Sequence, residues 1–373
     1  MKKTILLTAF LGLLKLTSFA QVVRTYSNDF LNIGVGARGL AMSNAQVAST
    51  SDVYSNYYNP AGLVGITNTF QLAFMHSEYF AGIGQYDYLA AAVPLVPNKR
   101  VIGFSIYRFG VDNIPNTLFL VNPDGSINYN NITSFSTADY AFMFHYAQAL
   151  PVEGLSIGGS VKVIYRQIGS FAKAFGFGID AGAQYEYKKW HFGLMARDIT
   201  GTFDAWTMSF TDAQKQVLLQ TNNALPSNSL EITTPHVILG AAYEAVMGKK
   251  KNFTILPEIN ISLSTDGKEN VLIPAKPVSI DMNAGLELKY LPGKDIGLYL
   301  RAGAGNIQRA TNEQGKKVVI VSPNIGAGIH IKIISIDYAL TNLSTLSDAG
   351  SRSGGGLYSN VISVRLDITK KQK

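Results

Sequence analysis

The chain has no cysteine in 373 residues, which excludes a disulfide framework, thiolate metal ligation and a lipid-acylated N-terminal cysteine. Charge is also scarce, at 15 % Asp, Glu, Lys and Arg against 47 % hydrophobic residues. Yet beyond the first twenty residues no stretch approaches the roughly 20 apolar residues of a membrane-crossing helix. An apolar chain without spanning helices can cross a bilayer only as a closed β-barrel, because unpaired backbone amides in hydrocarbon cost several kcal/mol each. Chemistry is sparse as well. The five histidines, His76, His145, His191, His236 and His330, fall on separate segments without metal-ligand spacing. Gly34 to Gly39 match G-x-G-x-x-G in form, but a dinucleotide site needs a βαβ unit and an acid about 20 residues on, and Asp52 comes too soon. These glycines are read as packing positions, and no enzymatic activity, cofactor or metal is expected.

The N-terminus carries Lys2 and Lys3, an apolar stretch from Thr4 to Leu14, and Ser18-Phe19-Ala20. This is the pattern of a secretory leader over residues 1–20, cut after Ala20. Its removal takes away Lys2, Lys3 and Lys15 and no acid, lowering the formal charge of +7 by three. The remaining positive excess is mild and dispersed, and gives nucleic-acid binding no support. Lys249, Lys250 and Lys251 form the one cluster, read as a solvated turn between two alternating runs. The expected location is the outer membrane, with its lipid as surroundings.

Period-two alternation dominates the rest. From Leu155, Ile157, Val161, Val163 and Tyr165 make one face, while Ser156, Ser160, Lys162 and Arg166 lie on the other. Ile280, Met282, Leu286 and Leu288 alternate in the same way with Ser279, Asp281, Asn283 and Glu287. Spanning a bilayer takes ~9 to 11 residues per strand, longer than the usual soluble strand. The alternation predicts strands near 67–79, 84–95, 100–110, 136–149, 154–167, 175–187, 189–198, 234–247, 252–264, 278–290, 296–306, 322–331, 333–341 and 358–368. Their number, about fourteen, is even, as bacterial single-chain barrels require. Even-numbered connections are all short, and every long one is odd: 111–135, 199–233, 307–321 and 342–357. Such barrels have short periplasmic turns and long external loops, so both barrel ends belong in the periplasm. Tyr185, Tyr187, Trp190 and Tyr290 then fall at periplasmic strand ends, where amphipathic rings favour the headgroup level.

The fold class expected is all-β: a transmembrane antiparallel barrel over residues 67–368, with a polar C-terminal tail at 369–373. Residues 21–66 do not fit the strand rhythm. They are semi-apolar and rich in glycine, and predict a plug, or hatch, in the lumen. Pro60 fixes its own φ and biases Asn59 away from helix, while Ala61 and Gly62 allow close approach to a wall, so this stretch reads as a rigid corner.

The run Phe30-Leu31-Asn32-Ile33-Gly34-Val35-Gly36-Ala37-Arg38-Gly39, then Ala41-Met42 and Asn59-Pro60-Ala61-Gly62-Leu63, resembles the N-terminal region of the PorV/PorQ family of Bacteroidota, within the FadL-like barrels. The resemblance covers the mature chain by architecture and residues 30–63 by motif. It implies fourteen strands and a lumenal hatch with an Asn-Pro-Ala motif. It also implies one of two roles. PorV-like members belong to type IX protein secretion, where secretion-system proteins or exported cargo would be the partners. Other FadL-like proteins admit fatty acids or hydrophobic small molecules.

Arg38 is the one charge in the run from Phe30 to Gly39, and in a plugged lumen it would need an acidic partner, with Asp281, Glu287, Asp180 and Glu258 as candidates. Lys162, Arg166 and Arg301 are further candidate lumen charges. Thr211 to Thr221 predicts a short helix in the longest loop, N-capped at Thr211 or Asp212. Val217 and Leu218 on its apolar side suit a lid over the barrel mouth or a partner contact. Gly354, Gly355 and Gly356 suggest a mobile loop tip.

Overall fold

A computed structural model of the chain describes residues 27–369, apart from 123, 222, 268–270, 276, 294, 312–316 and 343–357. The expected leader, the Gly354–Gly356 loop tip and most of the expected tail lie outside the described residues.

The alternating segments pair with their sequence neighbours in one antiparallel sheet that closes on itself. Its fourteen strands are β1 (Phe70–Tyr79), β2 (Gly84–Val96), β3 (Arg100–Asn116), β4 (Thr133–Ala149), β5 (Leu155–Ile168) and β6 (Ala172–Tyr187). Strand β7 runs as Trp190–Arg197 and, after a break, Thr202–Met208; β8 runs as Ser229–Thr233, His236–Tyr243 and Ala245–Met247. Then follow β9 (Phe253–Ser264), β10 (Ser279–Tyr290), β11 (Ile296–Thr311), β12 (Lys317–Ile331), β13 (Ile334–Asn342) and β14 (Tyr358–Ile368). Strand β14 pairs with β1 from Phe70↔Ile368 to Glu78↔Asn360 and closes the barrel. Closure removes the two free edges that an open sheet would present. No described helix is long and apolar enough to cross a membrane.

Several strands run further than the alternation suggests. At the long-loop end β3 continues to Asn116 and β4 begins at Thr133, so the connection expected at 111–135 shrinks to 117–132. Strands β7, β8, β11 and β12 extend likewise. In each case an irregularity interrupts the period-two signal while pairing resumes beyond it. One lies between Val111 and Ile114, where Asn113 has φ 58°. Another separates the two parts of β7, where Asp198 and Gly201 have φ 56° and 68°. A third lies between Gly305 and Gln308. Each adds residues to one strand only and flips the faces downstream. At 17 residues each, β3 and β4 exceed what a bilayer requires.

Alternation sorts the side chains as the barrel demands. On β5, Ile157, Val161 and Val163 point outward and are exposed, whereas Ser160, Lys162 and Ile164 are buried inside. Leu286, Leu298, Leu300, Ile325, Ile336 and Ile362 continue the outward apolar band. Near the short-turn end Trp190 stacks on Phe192 and packs against Tyr243, and Tyr185 stacks on Tyr187. These rings lie where an aromatic girdle is expected.

Candidate functional site

The lumen is occupied by the chain's own residues 27–66, folded as short helical turns rather than strands. These are Asp29–Asn32, Ala37–Ala41, Ser55–Tyr58 and Pro60–Gly65. Backbone geometry explains part of the glycine content: Gly34 and Gly36 take φ of 105° and 72°, which L side chains rarely adopt. At Gly39 a Cβ would collide with the Tyr58 hydroxyl, which accepts from Val35 N at 3.3 Å and donates to Val35 O at 2.9 Å.

The Asn-Pro-Ala-Gly corner is seated against the wall. Asn59 Oδ1 accepts from Ala61 N at 3.2 Å, and its Nδ2 donates to Val47 O and to Ala183 O of β6, both at 3.0 Å. The wall makes room for it with glycine. A Cβ on Gly182 would meet Asn59, and one on Gly158 would meet Pro60 and Ala61. Gly62 lies as close to the carbonyl of Thr50.

Two kinds of contact hold the segment. Toward β1–β4 they are aromatic and apolar: Tyr54, Tyr57 and Tyr58 pack with Met75 and Tyr79 of β1, Tyr86 and Tyr88 of β2 and Tyr107 of β3. Ring centroids lie 4.9 Å apart for Tyr88 and Tyr107, 6.0 Å for Tyr54 and Tyr88, and 6.2 Å for Tyr79 and Tyr86. Phe109 extends the row beside Tyr86. Burial pushes the Tyr54 and Tyr58 phenols above their usual pKa, so both stay neutral.

Toward β9–β14 the contacts are ionic. Glu287 of β10 accepts from Arg38 Nε at 2.8 Å and Nη2 at 3.2 Å, and from Arg301 Nε of β11 at 2.6 Å. Arg301 in turn reaches Asp337 of β13 at 2.6 Å. Burial pulls the Arg38 pKa down, but Glu287 beside it, with Asp52 and Glu258 nearby, outweighs this and leaves it raised. Asp52 pairs with Arg365 of β14, which also holds Asp367 at 3.1 Å. Glu258 of β9 accepts from Ala48 N at 2.7 Å.

Among the four acids considered for Arg38, the structure brings Glu287 to it. Asp180 pairs with Lys162 at 2.8 Å instead, Glu258 serves the Ala48 amide, and Asp281 lines a cavity above the segment. Arg166 pairs with Asp139 at 2.9 Å, near Asp204 and Glu231, which receive Ser27 Oγ at 2.6 and 3.1 Å. Asp52, Asp337, Arg365 and Asp367 were missed as lumen charges, although Ser335-Asp337 and Ser363-Arg365-Asp367 alternate with apolar residues on β13 and β14. That polar face was the signal. Val217 and Leu218 lie half-buried on the helix Asp212–Gln220, which carries a Thr211–Gln214 capping box.

The free space left is divided. A cavity of about 190 Å³ lies on the long-loop side of the segment, lined by polar and apolar groups of both segment and wall. On the short-turn side are separate spaces of about 150 Å³, beside Arg38, His191 and Glu244, and about 310 Å³, beside Ala61 and Glu153.

No protein-family model matches the chain, and neither does any curated protein. Solved structures do. The CymD monoaromatic hydrocarbon channel aligns at TM-score 0.53 and 12 % identity, over 91 % of this chain and 99 % of that one. The Ralstonia pickettii toluene transporter TbuX aligns at 0.53 and 13 %, over 90 % and 98 %. A Pseudomonas aeruginosa FadL homologue aligns at 0.51 and 9 %, over 89 % and 98 %. The fold is that of the FadL-like outer-membrane barrels. The first two are a channel and a transporter rather than enzymes. At these identities the likeness concerns the fold, and none of these comparisons bears on the PorV/PorQ resemblance, whose motif covers residues 30–63.

Proposed function

We propose that this chain is a non-enzymatic outer-membrane barrel that admits small hydrophobic molecules, with residues 27–66 as the element that shifts to let them pass. The observation that carries this reading is the aromatic seam. Rings run from Phe109, Tyr79 and Tyr86 near the long-loop end, through Tyr88 and Tyr107, to Tyr57 and Tyr54 of the segment. It is a contact between two elements, so displacing one uncovers ring faces suited to apolar and aromatic solutes. The likeness in fold to the CymD hydrocarbon channel and the TbuX toluene transporter supports the same direction.

The test is initial uptake of radiolabelled toluene by cells carrying the barrel in their outer membrane. Uptake above that of cells without the barrel is expected, and Tyr107→Arg, which puts a charge into the seam, removes the gain while the barrel still folds. Equal uptake with and without the protein contradicts the reading.

A second reading, association with exported proteins as the PorV/PorQ resemblance implies, is favoured by one observation: the described cavities form no continuous apolar path past the segment. Val121, Ile127, Tyr129 and Leu219, exposed on the long loops, would then meet the partner. Purification in mild detergent with mass spectrometry of proteins and lipids separates the two. Exported proteins in the eluate support the second reading, and hydrophobic small molecules alone support the first.

A further inference from the structure

Among the described residues the lumen holds a cation whose hydrogen-bonding capacity the fold leaves largely unused. Arg197, on the lumen face of β7, is 9 % exposed. Its guanidinium lies over the Tyr57 ring, 4.2 Å from the centroid, and Nη2 donates to the Tyr57 carbonyl at 3.0 Å. Tyr57 is itself fixed, its hydroxyl donating to Leu31 O at 2.7 Å. The acids nearest in this cluster are engaged elsewhere. Asp180 and Asp198 both bind Lys162 Nζ, at 2.8 and 2.5 Å, and Asp198 also takes the Thr202 hydroxyl. Among the described residues no carboxylate comes within ion-pair distance of Arg197, and the Tyr57 carbonyl is its one hydrogen-bond acceptor. A guanidinium carries five N–H donors in a fork that matches a carboxylate.

Arg197 lines the 190 Å³ cavity, and so does Asn260 of β9. Asn260 is 1 % exposed; its Nδ2 donates to Asn44 O at 3.1 Å, and its Oδ1 has no hydrogen-bond partner. A buried acceptor left unmatched is costly. The cavity therefore offers a guanidinium fork and a free acceptor in a lining that also includes Ser262, Asn44 and Thr233 and the acids Asp29, Asp266 and Asp281. An apolar cavity of ~150 Å³ holds benzene, so this one has room for about six to ten heavy atoms.

We infer that this cavity is a binding site for a small polar carboxylate that carries a hydroxyl or amino group, its carboxylate on Arg197 and its second donor on Asn260 Oδ1. The site adjoins the aromatic seam at Tyr57 but takes a different class of ligand and does not depend on passage of hydrophobic molecules. The buried cation and the free acceptor disfavour a hydrocarbon here, because an apolar ligand would leave both groups unmatched.

The test is isothermal titration calorimetry on the full barrel in detergent, with sodium L-lactate and the neutral L-lactamide as probes. Saturable lactate binding is expected, with lactamide weaker by ~10-fold or more, since a charge-assisted pair is at stake. Arg197→Gln brings lactate down to the lactamide level. Ser262→Phe fills the cavity, leaves Arg197 in place and abolishes binding of both probes, so the proposal stays testable if the arginine variant fails to fold. Equal binding of lactate and lactamide, no binding of either, or lactate binding unchanged in Ser262→Phe overturns the site. Toluene uptake measured on the same variants reports on the seam separately: its loss in wild type with lactate binding retained counts against the channel reading and not against this one.

Discussion

On the β1–β4 side the lumenal segment meets the wall through tyrosine and methionine; on the β9–β14 side it meets it through arginine and carboxylate. The two contacts differ in what they tolerate. Aromatic burial is non-directional and contributes roughly 1.5–3 kcal/mol per side chain, whichever ring faces which. The ionic side is directional and unforgiving: Glu287 serves Arg38 and Arg301 at once, and removing one member strands the others without water. The segment is thus registered by its charges and sealed by its rings. A solute that slips between rings need not break an ion pair, which is why the seam, rather than the ionic face, is the candidate path.

Breaking the ionic side should give the largest effect. Glu287→Gln leaves the buried Arg301 and the part-buried Arg38 short of their shared acceptor and should lower unfolding stability in detergent by about 3–5 kcal/mol, read by thermal or urea unfolding. A loss below about 1 kcal/mol would mean that these charges are hydrated and do not register the segment. Gly182→Val should follow. Its branched side chain meets Asn59 in the corner, and overpacking of this kind costs about 1–3 kcal/mol. Limited proteolysis should then cut the segment while the barrel keeps its heat-modifiable gel mobility. The smallest effect belongs to the aromatic side. Tyr86 is fully buried and its hydroxyl lacks a partner, so Tyr86→Phe removes only an unmatched group and should change stability by less than about 1 kcal/mol, with stabilisation the expected sign. A clear loss would show that the hydroxyl is matched by water, and the seam would be wetter than described.

Much of this architecture is legible in the residues. The strand faces are visible because Lys162, Glu287 and Arg301 keep parity with serine and glycine, opposite isoleucine, valine and leucine. Even the Arg38 partner falls within the small set of acids on inward positions. The choice of Glu287 over Glu258 is not legible, because it depends on how the turn at Gly34–Gly36 aims the short helix across the barrel. The extensions of β3 and β7 escape notice because irregularities at Asn113 and Asp198 invert the parity beyond them. Arg197 is missed for a related reason: it stands one residue before the break in β7, and nothing in its own segment shows that Tyr57, far away in sequence, supplies the platform beneath it.

The central claim is that residues 27–66 close the barrel and move to open it. The lack of cysteine in the chain allows a clean test. A Cβ on Gly240 would lie 3.2 Å from Val47 Cβ and 2.7 Å from Asn260 Oδ1, so a shift of a few tenths of an ångström by the segment and by the Asn260 side chain brings the pair to the ~3.8 Å mean separation across a disulfide. Val47→Cys with Gly240→Cys should therefore tie the segment to β8. Toluene uptake by cells carrying this double variant is measured oxidised and then reduced. The account predicts that uptake falls to the level of cells without the barrel on oxidation and returns on reduction; uptake that is the same in both states would contradict it.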